Sequence, residues 1–127
     1  MIHLVTGGSG SGKSAYAEQC ILDFDGTRRV YIATMQPFGA EGQARIARHR
    51  KMRAAKQFST IECYTNLKEV ELEPGSDVLL ECMSNLTANE IFDPSGAGKA
   101  RAEEEILAGV SRLAHQARNL VLVTNEI

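Results

Sequence analysis

The sequence has few cysteines, no surplus of positive charge and no long apolar run. Its three cysteines, Cys20, Cys63 and Cys82, are widely separated and form no C-x-x-C pair. This pattern argues against both a disulfide framework and a zinc site. The three histidines show no metal-ligand spacing either.

The charge balance and the missing apolar run exclude two kinds of partner. A formal net charge of −2 gives no global positive field for nucleic acid or for an anionic membrane. No apolar run approaches the roughly 18 residues of a transmembrane helix, and the opening "MIHLVTGG" is interrupted too soon for a signal peptide. We therefore expect a cytoplasmic protein with no membrane span and no nucleic-acid partner.

The sequence does contain an alternation of short apolar runs and helix-forming stretches. At 127 residues it has room for one domain with a real core. The apolar runs predict five strands, at residues 2–6, 29–34, 58–64, 77–82 and 120–125. Helices are predicted at residues 13–24, 41–55, 84–92 and 99–118. This order predicts an α/β fold, a mostly parallel sheet flanked by helices, in a single domain over residues 1–127.

The last predicted strand lies at the very end of the sequence. Glu126 and Ile127 follow it, with no helix to cover it. Because a strand buried on both faces usually has further elements after it, we expect the domain to be incomplete on its C-terminal side.

Residues 7–14 fit the phosphate-loop pattern G-x-x-x-x-G-K-[ST], directly after a strand and at the start of a helix. Glycines let backbone N–H groups converge on phosphate oxygens, and the helix N-terminus adds a positive dipole end. Lys13 would reach the β- and γ-phosphates and Ser14 would bind Mg²⁺. The predicted nucleotide-binding residues here are Gly7, Gly8, Ser9, Gly10, Ser11, Gly12, Lys13 and Ser14.

A phosphate loop of this kind needs an acid at the end of a hydrophobic strand to hold the metal. "DVLLE" offers Glu81 and "LVLVTNE" offers Glu126. Glu81 is the better candidate, because the carboxyl ends of parallel strands face the ligand crevice.

The stretch "ARIARHRKMR", residues 44–53, has two interpretations. It is either a solvated basic helix face or a phosphate-binding helix with a nucleophile, because Arg45, His49 and Arg53 fall one turn apart. A histidine between guanidinium groups is pushed toward its neutral, nucleophilic form. A regulatory GTPase is excluded, since no N-K-x-D occurs. A monofunctional P-loop small-molecule kinase and a non-catalytic nucleotide-binding module remain alternatives.

Six motifs together resemble one known family, the bifunctional adenosylcobinamide kinase/adenosylcobinamide-phosphate guanylyltransferases of cobalamin biosynthesis. They are "LVTGGSGSGKSAYAE", "VYIATMQ", "ARIARHRKMR", "TIECYTNL", "VLLECMSNLTAN" and "LVLVTNE". The combination is more specific than a phosphate loop alone. Two departures from the family pattern stand out: Ser9-Gly10 replaces a familiar Ala-Arg pair, and a further segment that family members carry after "TNE" does not follow.

The resemblance implies a P-loop α/β fold, a trimeric assembly and a two-step reaction. ATP or GTP would phosphorylate the aminopropanol hydroxyl of adenosylcobinamide. GMP from GTP would then pass to that phosphate through a His49–GMP intermediate, with release of pyrophosphate. His49 and Lys13 would be catalytic, Ser14 and Glu81 would hold Mg²⁺, and further residues would line the nucleotide site: Ala33, Thr34, Met35, Arg50, Lys51, Met52, Arg53, Glu62 and Glu81.

Overall fold

A computed structural model of the chain describes residues 2–7, 12–36 and 39–125. Within these residues the strands form one five-stranded sheet in which every pairing is parallel, in the order β1-β5-β4-β2-β3. The strands are Ile2–Gly7 (β1), Arg28–Ala33 (β2), Phe58–Glu62 (β3), Ser76–Glu81 (β4) and Asn119–Asn125 (β5). The predicted α/β fold with a parallel sheet is confirmed.

The helices follow the strands as the sequence predicts. They are Lys13–Asp23 (α1), Gly39–Ala55 (α2), Met83–Phe92 (α3) and Ala102–Gln116 (α4). The start of α4 differs from the predicted residue 99, because the preceding residues form a turn. Gly98 has a left-handed φ of 84°, and its carbonyl accepts the N–H groups of Arg101 and Ala102. The short 3₁₀ turn at Leu67–Glu69 was not predicted.

Apolar side chains are buried on both faces of the sheet. Along β4, Val78 and Leu80 join the cluster under α3 and α4, whereas Leu79 joins the cluster under α1. This burial explains why "DVLLE" is a continuous apolar run, as is typical of a central parallel strand. None of the helices in the described ranges is long and apolar enough to cross a membrane.

The strand register places the predicted site residues at one edge of the sheet. Ala33 at the end of β2 pairs with Glu62 on one side and with Glu81 on the other. Glu81 in turn pairs with Val123 of β5. Asn125, at the end of β5, pairs with Gly7 at the end of β1. Because all five strands are parallel, these positions line the carboxyl edge of the sheet, where α/β proteins bind their ligands.

Candidate functional site

The phosphate loop is framed by the end of β1 and the start of α1. Gly12 caps the helix with a left-handed φ of 81°, a conformation that strains any residue with a Cβ. Lys13 follows as the first helical residue and is half-buried. Both line a groove of about 500 Å³ beside Gly7 and the outer part of β1. Gly8, Ser9, Gly10 and Ser11 lie outside the described residues, as does Glu126.

Glu81 ends β4 and is half-buried at the carboxyl edge. The hydroxyl of Tyr31 donates a hydrogen bond to its Oε2 atom at 3.1 Å. Burial raises the pKa of Tyr31, and the negative charge of Glu81 raises it further, so the phenol keeps its proton at neutral pH. Tyr31 was not among the predicted site residues. Its place in a predicted strand was a usable signal, because a buried tyrosine hydroxyl usually has a hydrogen-bond partner.

Arg53 lies in the last turn of α2 and is buried, with 5% of its surface exposed. Its guanidinium carbon lies 3.5 Å from the centroid of the Tyr31 ring, in a cation–π arrangement. Its Nε atom has no hydrogen-bond partner among the described residues. The structure thus brings Arg53 and Glu81 together through Tyr31.

Glu62, at the end of β3, pairs with another basic side chain of α2. It forms an ion pair with Arg50, and Tyr64 donates a hydrogen bond to its Oε2 atom at 3.2 Å. Arg50 and Glu62 line a groove of about 470 Å³ beside Phe58. β3 is four strands away from β1, which corresponds to about 19 Å at the usual strand spacing. Glu62 and the end of β1 therefore lie at opposite sides of the carboxyl edge.

The three predicted site residues that follow β2 differ in accessibility. Thr34 is fully buried, and its hydroxyl lies 2.9 Å from the Cys82 carbonyl and accepts the Cys82 N–H at 2.8 Å. Its own N–H donates to the Glu81 carbonyl, and Asn89 donates to its carbonyl. Thr34 therefore joins the end of β2 to the end of β4. Ala33 is half-buried and Met35 is exposed.

Three predicted site residues on α1 and α2 are only partly described. Ser14, His49 and Met52 lie on helical backbone, and their predicted side-chain roles are outside what the structure describes. Position 49 is one helical turn before Arg53 in α2. Lys51, on the same helix, is exposed.

Comparison with known proteins identifies the family of phosphate-loop proteins to which the chain belongs. The model of the cobinamide kinase/cobinamide phosphate guanyltransferase family matches residues 3–127. The chain belongs to this family. The resemblance stated from the six motifs is confirmed, because the match covers all of them.

Two curated relatives agree with the family match. The bifunctional adenosylcobalamin biosynthesis protein CobU of Escherichia coli K12 is 35% identical over 140 aligned positions, which cover the whole chain and 76% of the relative. The protein of the same name from Salmonella typhimurium LT2 is 36% identical over the same shares. The chain thus spans about three quarters of the length of these cobalamin biosynthesis proteins.

Because the family uses nucleotides, the residues that could hold a metal ion beside the phosphates are of interest. Among the described residues, no group of three or more His, Cys, Asp and Glu side chains could hold a metal ion. Glu81 offers one carboxylate at the carboxyl edge, within reach of the Tyr31 hydroxyl. This fits Mg²⁺, which keeps several waters and is usually held by one or two protein oxygens together with substrate phosphates.

Proposed function

We propose that the chain phosphorylates the aminopropanol hydroxyl of adenosylcobinamide with ATP or GTP and then transfers GMP from GTP to the resulting phosphate. The products of the second step are adenosylcobinamide-GDP and pyrophosphate. The family match over residues 3–127 carries this proposal. The placement of Gly12, Lys13 and Glu81 at one edge of the sheet supports it.

In the kinase step the hydroxyl oxygen attacks the γ-phosphorus of the nucleotide. The bond from that phosphorus to the bridging oxygen breaks, the nucleoside diphosphate leaves, and the hydroxyl proton is released. Lys13, at the positive end of α1, would neutralise charge on the transferred group together with the loop N–H groups. Ser14 and Glu81 would hold Mg²⁺, whose chemistry is to neutralise triphosphate charge.

In the transfer step a ring nitrogen of His49 attacks the α-phosphorus of GTP, and pyrophosphate leaves. A phosphate oxygen of adenosylcobinamide phosphate then attacks the same phosphorus, and the phosphorus–nitrogen bond to His49 breaks. The basic side chains of α2 would bind phosphate oxygens and reduce the repulsion between two anionic reactants. Arg50 and Glu62, four strands away from the phosphate loop, would line the part of the nucleotide site that is distant from the γ-phosphate.

A labelling experiment tests the transfer half. The protein is incubated with α-labelled GTP and Mg²⁺, and the protein-bound label is tested for stability to acid and alkali. We expect an acid-labile, alkali-stable adduct that is absent from His49→Ala. His115→Ala is the matched control, because His115 lies in the last turn of α4, which leads to the opposite edge of the sheet. The adduct should persist in that variant.

The same preparation separates the alternatives. Phosphoryl transfer to adenosylcobinamide that survives in His49→Ala, with no adduct in the wild-type protein, would indicate a monofunctional kinase. Tight GTP or ATP binding with neither activity would indicate a non-catalytic nucleotide-binding module. Both activities in the wild-type protein, with loss of the transferase activity alone in His49→Ala, would support the proposal.

Assembly and location follow from the family resemblance and are part of the same proposal. We expect a homotrimer in the cytoplasm, acting on nucleotide and corrinoid substrates. Light scattering coupled to gel filtration would test the assembly. A monomer at working concentration would count against it.

A further inference from the structure

The side chain of Tyr31 lies directly behind the strand end that carries the candidate metal-binding carboxylate. Its Cα partner on β4 is Leu79, two residues before Glu81. Residues two apart on a strand share a face, and a long side chain reaches the diagonal neighbour on the next strand. This register explains why the Tyr31 hydroxyl meets the Glu81 carboxylate at 3.1 Å.

The Tyr31 ring is packed in an apolar cluster and covered by a guanidinium group. Only 7% of its surface is exposed, and it belongs to the apolar cluster under α1. The Arg53 guanidinium covers the ring at 3.5 Å. A ring fixed in this way has little rotational freedom, so the position of its hydroxyl oxygen is fixed as well.

The contact between Tyr31 and Glu81 joins two adjacent strands. The phenol O–H donates and the carboxylate oxygen accepts, so Glu81 Oε2 has a donor fixed on β2. A hydrogen bond of this kind orients a carboxylate that serves as a metal ligand.

We propose that Tyr31 is a positioning residue that fixes the orientation of the Glu81 carboxylate at the nucleotide crevice, and that Arg53 fixes Tyr31 in turn. This inference rests on the proposed role of Glu81. It also links the helix that carries His49 to the strand end that serves the phosphoryl-transfer step, since Arg53 is four residues after His49.

Tyr31→Phe tests the inference, because it keeps the ring and removes only the hydroxyl. The kcat and KM for nucleotide are measured in adenosylcobinamide phosphorylation. We expect a loss of about tenfold in kcat, the size of one hydrogen bond to a charged group, with KM within about twofold. A loss confined to KM, or an unchanged kcat, would overturn the proposal.

A double-mutant cycle asks whether Tyr31 acts through Glu81. In a Glu81→Gln background, Tyr31→Phe should cause no further loss of kcat. In a Glu62→Gln background it should cause the full loss, because the hydroxyl partner of Glu62 is Tyr64 instead. Equal losses in both backgrounds would show that Tyr31 acts independently of Glu81 and would refute the proposal.

The same cycle in urea denaturation gives a readout that does not depend on activity. The midpoint shifts of Tyr31→Phe and Glu81→Gln should be non-additive, whereas those of Tyr31→Phe and Glu62→Gln should add. If Glu81→Gln has no measurable turnover, the urea midpoints test the contact between Tyr31 and Glu81 by themselves. Additive midpoint shifts of Tyr31→Phe and Glu81→Gln would then refute that contact. A wild-type protein without kinase activity but with a non-additive Tyr31–Glu81 cycle would refute the proposed function and leave the contact standing.

Discussion

The guanidinium carbon of Arg53 lies 3.5 Å from the centre of the Tyr31 ring, beneath the helix that carries His49. From its sequence, Arg53 was one of several basic residues that could have faced solvent on α2. Its burial against Tyr31 gives it a second role, because it anchors the end of α2 to the sheet next to Glu81. Among the basic side chains of α2 that the structure describes, Arg53 is buried, whereas Arg48 and Arg50 are exposed.

Arg53→Lys should destabilise the fold although it keeps the charge. An ammonium group is compact and strongly hydrated and cannot replace the planar stack on Tyr31. We expect the free energy of unfolding in urea to fall by about 1–3 kcal/mol. Arg48→Lys, an exposed change on the same helix, should stay within about 0.5 kcal/mol of the wild-type value. Equal effects of the two changes would contradict the burial of Arg53.

Gly12→Ala should impair nucleotide binding beyond its effect on stability. Gly75→Ala is the matched control, since Gly75 has almost the same left-handed φ, 82° against 81°, but precedes β4 at the opposite edge of the sheet. Each change should cost about 1–2 kcal/mol of folding free energy. The Kd for GTP should rise about tenfold or more in Gly12→Ala alone. A similar rise in both variants would indicate a general effect of destabilisation.

Gly109→Ala should destabilise α4, the reverse of the usual helix effect. In a helix this change normally adds about 1 kcal/mol of stability. Here a Cβ would lie 2.7 Å from the Leu67 Cβ atom, in the buried contact with the 3₁₀ turn. We therefore expect a loss of about 1–3 kcal/mol in urea denaturation. Ser111→Ala, on the exposed side of α4, should leave the free energy of unfolding unchanged or raise it. A rise for Gly109→Ala would show that α4 lies farther from the 3₁₀ turn than the structure places it.

The Cys63 thiol should make stability depend on alkaline pH. Burial, together with the nearby charge of Glu90, raises its pKa from the ordinary value of 9.0 to about 11. The folded state therefore favours the protonated thiol. Its stabilising effect is complete below about pH 9 and is lost as the pH rises toward about 11. The difference in the free energy of unfolding between wild type and Cys63→Ala should therefore decrease as the pH rises through this range. A constant difference would contradict the burial of Cys63.

The strands could be predicted because each is a short apolar run between turn residues. Val78, Leu79 and Leu80 are buried on alternate faces, so the whole run had to be apolar. α4 begins at Ala102 and not at the predicted residue 99, since the turn around Gly98 depends on backbone hydrogen bonds that composition does not reveal. The order of the strands depends on packing between distant segments and was not predicted.

The site could be predicted only in part, for a similar reason. The phosphate loop is local in sequence, so its frame at Gly7, Gly12 and Lys13 followed from the motif. The Tyr31–Glu81 hydrogen bond joins residues 50 positions apart, and only the register of β2 against β4 brings them together. Thr34 stays a predicted nucleotide-site residue. Its hydrogen bonds to Cys82 and Asn89 are a tertiary arrangement that no local pattern shows.

We propose that α2 carries the nucleophile of a guanylyl transfer. The most direct measurement is tandem mass spectrometry of peptides from the wild-type protein after incubation with GTP and Mg²⁺, followed by a chase with adenosylcobinamide phosphate. We expect one GMP adduct, located on His49, that disappears during the chase as adenosylcobinamide-GDP forms. An adduct on another residue, or an adduct on His49 that the chase does not discharge, would contradict it.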